Sequence, residues 1–142
     1  MDEIMQNIKI KSGKIEVPEK TQKQWQQLLN LLIDFSGAQD ALLNRFQKPY
    51  LQIVKASKNE KNLFKAGESF KLDGHYCQKV IERQNILEVQ NAHKEKEWQD
   101  APELEFGLIS YLGYPLKWPN GAAYGTICIH DSQEREFNDE IK

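Results

Sequence analysis

The stretch whose reading decides the fold is LISYLGYPLKWPNGAAYGTICIH, residues 108–130. Two apolar runs, Leu108 to Leu116 and Ala122 to His130, flank Lys117-Trp118-Pro119-Asn120-Gly121. Asn-Gly between such runs is the strongest short hairpin signal, because both residues tolerate positive φ. The segment is therefore expected to form an antiparallel hairpin. Strand alternation then sets Ser110, Leu112 and Tyr114 on one face of the first strand and Thr126, Cys128 and His130 on one face of the second.

Upstream, Trp25, Leu28, Leu29, Leu32 and Ile33 recur at spacings of three and four, with Gln22, Lys23, Gln26, Gln27 and Asn30 filling the other face. This is the pattern of an amphipathic helix, and Gly37 supplies a left-handed cap after Ser36. Ala41 to Phe46 and Tyr50 to Ser57 read as short strands about a turn at Gln47-Lys48-Pro49. Lys58 to Leu72 reads as a long connection. Tyr76, Cys77, Val80 and Ile81 share a helical face, so a short helix is expected there, followed by a strand at Ile86, Leu87 and Val89. His93 to Phe106 is charged and reads as a loop with a helical turn. Residues 1–18 read as a tail or linker with a possible short strand at Ile8, Ile10 and Ile15. Residues 19–142 read as the domain; Glu136 to Lys142 reads as the start of a helix, so the domain either ends there in a frayed turn or is cut from a longer protein before its C-terminal helix.

Composition bounds the function. In a chain of 142 residues, 19 Lys plus Arg against 21 Asp plus Glu leave a net charge of −2, so no overall field draws it to nucleic acid or anionic lipid. The longest apolar runs fall far short of the roughly 20 residues that cross a bilayer. The N-terminus lacks the apolar core of a secretory signal, and a cytoplasmic location is expected. Two cysteines, Cys77 and Cys128, are too few for a disulfide framework and read as reduced, structural thiols.

Six blocks in order, namely Tyr76 to Ile81, Ile86 to Ala92, Glu97-Trp98 with Pro102, Ile109 to Leu116, Trp118 to Gly121 and Tyr124 to Ile129, resemble a GAF domain of the type found in sensor histidine kinases and diguanylate cyclases. The resemblance spans Gln22 to Glu140. It implies an α+β fold, a central antiparallel sheet with helices on both faces, in which the terminal helices lie on one face and shorter helices and loops cover a small-molecule pocket on the other. It also implies homodimers through the terminal helices and an output domain in a longer parent protein.

The expected function is accordingly non-catalytic sensing of a small molecule, coupled to that output domain. The alternatives are a pocketless dimerisation module and, less supported, an enzyme resembling the methionine sulfoxide reductases of the family. The two cysteines lie outside the cysteine-bearing segments of that group. No Cys-His dipeptide is present for bilin attachment, and the Asn-Lys, Phe, Asp-Glu signature of cyclic-nucleotide binding is incomplete. Cys128 and His130, two apart on a strand, fall short of the ligand count of a closed zinc site, so no metal and no cofactor are expected. The candidate ligand-binding residues are Ser110, Leu112, Tyr114, Thr126, Cys128 and His130, with Trp98 as the lid. Asn91, where related modules often carry Asp, removes a negative charge from that neighbourhood.

Overall fold

A computed structural model of the chain describes residues 9–11 and 14–137. Helix α1 (Glu19–Ser36) follows a small two-stranded sheet, β1 (Lys9–Lys11) with β2 (Lys14–Glu16). Six further strands, β3 (Asp40–Gln47), β4 (Tyr50–Ala56), β5 (Ser69–Lys71), β6 (Leu87–Val89), β7 (Ser110–Lys117) and β8 (Ala123–Asp131), form one antiparallel sheet in the order β5-β4-β3-β8-β7-β6. A second helix, α2 (Tyr76–Arg83), precedes β6, and three 3-10 turns punctuate residues 92–106. No helix among the described residues is long and apolar enough to cross a membrane.

The helical period of α1 carries Trp25 and Leu29 onto the sheet, where both are buried. Gly37 closes the helix at φ 69°, and its N–H donates to the Ile33 carbonyl at 2.8 Å. Trp25, Leu29, Leu43, Leu112, Leu116, Ile127 and Ile129 form the core on this side. Each large apolar side chain so buried contributes on the order of 2 kcal/mol. The opposite face holds a second core beneath α2, made of Leu42, Ile53, Tyr76, Val80, Tyr111 and Cys128 among others. Helices therefore cover both faces, as the expected architecture requires.

The hairpin forms as expected, with Gly121 at φ 90° in its loop. Its register shifts by one residue at a bulge between Leu116 and Lys117. One expectation needs correction. Ser69–Lys71 is an edge strand paired with β4, within a segment that the sequence presents as a connection. The expected C-terminal helix from Glu136 onward falls mostly in residues 138–142, outside the described residues.

Candidate functional site

Between the sheet and its cover on the α2 side lies a cavity of about 300 Å³. Leu42, Asn44 and Ile53 form its floor from β3 and β4, Cys77 and His75 come from the start of α2, and His130 from β8. Phe64, Phe70, Pro102 and Phe106 close over it. Phe64 meets Phe106 edge to face with centroids 5.6 Å apart, and Phe106 is 51% exposed, so these rings form the mouth.

Polar groups on the wall are few and specific. Asn44 is fully buried; its Nδ2 donates to Thr126 Oγ1 at 3.1 Å and to Cys128 Sγ at 3.6 Å, while its Oδ1 has no partner among the described residues. A buried acceptor left unpaired costs about 1–3 kcal/mol, which a ligand's N–H or O–H would recover. His130 Nδ1 lies 2.7 Å from Asp40 Oδ1, and both side chains are buried. Burial pushes the His130 pKa down, but the charge and hydrogen bond of Asp40, with smaller help from Glu103 and Cys77, outweigh it and raise the value to about 9. The imidazole is thus positive at neutral pH. Glu103 Oε2 accepts from the Tyr76 amide at 2.8 Å, and Oε1 lies 3.2 Å from His75 Nδ1, which ties the cover segment to the start of α2.

The cysteines are unequal. A hydrogen bond with Cys128 is the largest influence on Cys77 and lowers its pKa; burial opposes it, Thr126, Tyr111 and the His130 charge assist it, and the net value falls from 9.0 to about 7. Burial, then the hydrogen bond and charge of Cys77, hold Cys128 well above the ordinary thiol range.

Of the residues expected at the site, His130 alone lines the cavity. Thr126 and Cys128 share its face but sit beneath the wall, bonded to Asn44. Trp98 lies on the cover segment and packs edge to face on Tyr76 at 5.0 Å, while the lid is formed by Pro102 and Phe106 of the same segment. Ser110, Leu112 and Tyr114 are corrected: Leu112 and Tyr114 pack into the α1-side core, and Ser110, two residues before Leu112, bonds weakly to the Asp131 carbonyl at 3.4 Å. The bulge explains the reversal. Continuing the Lys117–Ala123 pairing without a shift would set Ser110, Leu112 and Tyr114 opposite His130, Cys128 and Thr126; past the bulge, Tyr111 faces His130 and Gly113 faces Cys128. A one-residue slip turns every side chain to the other face of the sheet.

His75 precedes α2 in extended backbone, at φ −73° and ψ 157°, so helical spacing does not separate it from Cys77, and both reach the cavity. Asn91 lies away from the cavity; its side chain caps a 3-10 turn by accepting from the His93 amide at 3.0 Å. The wall residues the sequence reading missed include Asn44 and Glu103. Asn44 did carry a signal, as a lone neutral polar residue after the apolar run Ala41-Leu42-Leu43.

A six-stranded antiparallel sheet with one long helix behind it and a covered, mostly apolar cavity in front defines a pocket-bearing α+β domain. The chain belongs to the GAF domain family, whose model matches residues 21–141. GAF domains are in general regulatory domains that bind small molecules. No curated protein matches the chain. Among solved structures, it is similar to the GAF domain of a phosphoenolpyruvate-protein phosphotransferase from Acinetobacter, with 15% identity and a TM-score of 0.66 over 84% of this chain and 71% of that one. It is also similar to the GAF domain of a two-component sensor histidine kinase from Bacillus halodurans, with 10% identity and a TM-score of 0.59 over 86% and 79%. A type II free methionine-R-sulfoxide reductase from Thermoplasma acidophilum matches with 13% identity and a TM-score of 0.63 over 84% and 80%. At these identities the likeness concerns the fold.

Proposed function

We propose that the chain is a non-catalytic sensory domain of a cytoplasmic signal-transduction protein, of the sensor histidine kinase or diguanylate cyclase kind, which binds a small molecule in the cavity and passes the bound state to an output domain. The observation that carries this reading is the unpartnered Asn44 Oδ1 on the wall of a cavity of about 300 Å³ that also holds the positive His130. A few fixed polar groups among apolar and aromatic walls are the usual makeup of a ligand site. The fitting ligand is small and mainly apolar or aromatic, with a donor for Asn44 and an acceptor for His130. The carboxylates of Glu68 and Glu103 on the same wall disfavour an anion.

Homodimers through α1 belong to the same reading. The stripe Trp25, Leu28, Leu29, Leu32 and Ile33 packs against the domain's own sheet, which leaves Leu31 and Phe35, 60% and 59% exposed, as the apolar surface for a second copy.

Native mass spectrometry of the chain purified from its own host tests the sensor. The expected result is a stoichiometric non-covalent adduct, absent from Asn44→Leu. An unladen 16.6 kDa species, with no fraction of a metabolite extract raising the melting temperature, would leave dimerisation as the function. Turnover of free methionine sulfoxide with a dithiol reductant, abolished by Cys77→Ser, would overturn the non-catalytic part.

A further inference from the structure

Ligand binding as described above makes no use of the two thiols, yet α2 and β8 bring them together. Cys77 Sγ lies 3.1 Å from the Tyr111 hydroxyl and 3.4 Å from Thr126 Oγ1. Asn44 Nδ2 reaches both sulfurs, at 4.0 Å to Cys77 and 3.6 Å to Cys128. Both cysteines are free and buried, but Cys77 forms part of the cavity wall, whereas Cys128 lies behind it. Cys77 thus stands at the cavity, and Cys128 sits one layer deeper, against Asn44 and Cys77.

We infer that Cys77 and Cys128 form an oxidisable pair, in which Cys77 attacks a small hydroperoxide admitted by the cavity and Cys128 resolves the product as a disulfide. Thiolate character is the requirement for attack, and the contacts around Cys77 favour its ionised form while Cys128 stays protonated. The Cys77 thiolate displaces the O–O bond of the hydroperoxide, takes one oxygen as a sulfenic acid, and releases an alkoxide that accepts a proton from the His130 imidazolium to leave as alcohol. The Cys128 sulfur then attacks the Cys77 sulfur, and the departing hydroxide takes the Cys128 proton to leave as water. Two electrons pass from the thiols to the peroxide, and His130 regains its proton from solvent. The reaction is stoichiometric and needs no further partner.

The test uses the full chain with hydrogen peroxide and, separately, tert-butyl hydroperoxide, followed by alkylation and non-reducing intact-mass and peptide analysis. The expected product is a monomer lighter by two hydrogens with Cys77 joined to Cys128. In Cys128→Ser, Cys77 should instead be trapped as a dimedone adduct, and in Cys77→Ser the loss of reaction should leave Cys128 at its background rate. Mapping the wild-type sites keeps the test decisive if a variant fails to fold. Oxidation of Cys128 ahead of Cys77, disulfides between chains only, or thiols that remain free under conditions oxidising the urea-unfolded chain would each overturn the inference.

Discussion

Asp40 and His130 face each other across β3 and β8, with Oδ1 and Nδ1 2.7 Å apart and both side chains buried. This pair makes stability depend on pH in a direction opposite to that of its neighbour Cys77. The His130 pKa is raised to about 9, so its contribution is complete below about 6.5 and is lost as pH rises through 9. The Cys77 pKa is lowered to about 7, so its contribution is complete above 9.0 and is lost as pH falls through 7.

The two contributions therefore oppose each other between pH 7 and 9, and each group strengthens the shift of the other. Urea unfolding of Cys77→Ser should show stability falling across that window, while Asp40→Asn should show it rising. Parallel pH profiles for all three proteins would contradict this opposition.

Glu103 joins the cover segment to α2 by accepting the Tyr76 amide at 2.8 Å. Glu103→Ala strands that buried N–H and should cost about 2 kcal/mol. Hydrogen exchange at Tyr76 should accelerate well before global unfolding; exchange unchanged there would show that the other contacts of the segment, such as Trp98 on Tyr76, hold it without Glu103.

Thr126 is fully buried and bonded on both sides, to Asn44 and Cys77, so Thr126→Trp should unfold the domain. Phe106, half exposed at the mouth, can be changed with little effect on the core. Phe106→Ala should change the melting temperature by no more than about 3 °C while speeding release of any bound compound, as read by native mass spectrometry and stopped-flow displacement.

For self-association, Leu31→Glu together with Phe35→Glu should reduce the dimer fraction in sedimentation velocity at least tenfold without altering the urea midpoint. A wild type that remains monomeric at high concentration would remove the α1 interface.

Long-period patterns made the framework legible. The stripe of α1 with Gly37, the face of α2, and the apolar runs around Asn120-Gly121 all report local geometry that the chain itself enforces. Side-chain direction in β7 was not legible, because Ser110 to Gly113 are buried on both faces and leave no polar alternation to show which face is which. A single bulge at Leu116 then decided it. β5 was missed because three residues in a polar segment, pairing only through Tyr50, Leu51 and Gln52, carry no period of their own. Asn44, His75 and Glu103 converge from distant parts of the chain, and nothing in one-dimensional spacing announces that meeting.

Leu42 and Leu43 are neighbours in β3, yet one lines the cavity and the other packs under α1. The sheet is a wall one peptide thick, so the cavity and α1 bear on opposite faces of the same strand. Beside it β4 carries an extra residue, Val54, at the register shift between Leu43 and Asn44, where the ladder is locally interrupted and the strand bends. The two neighbouring side chains thus tie the wall of the cavity to the seat of α1 with no intervening layer.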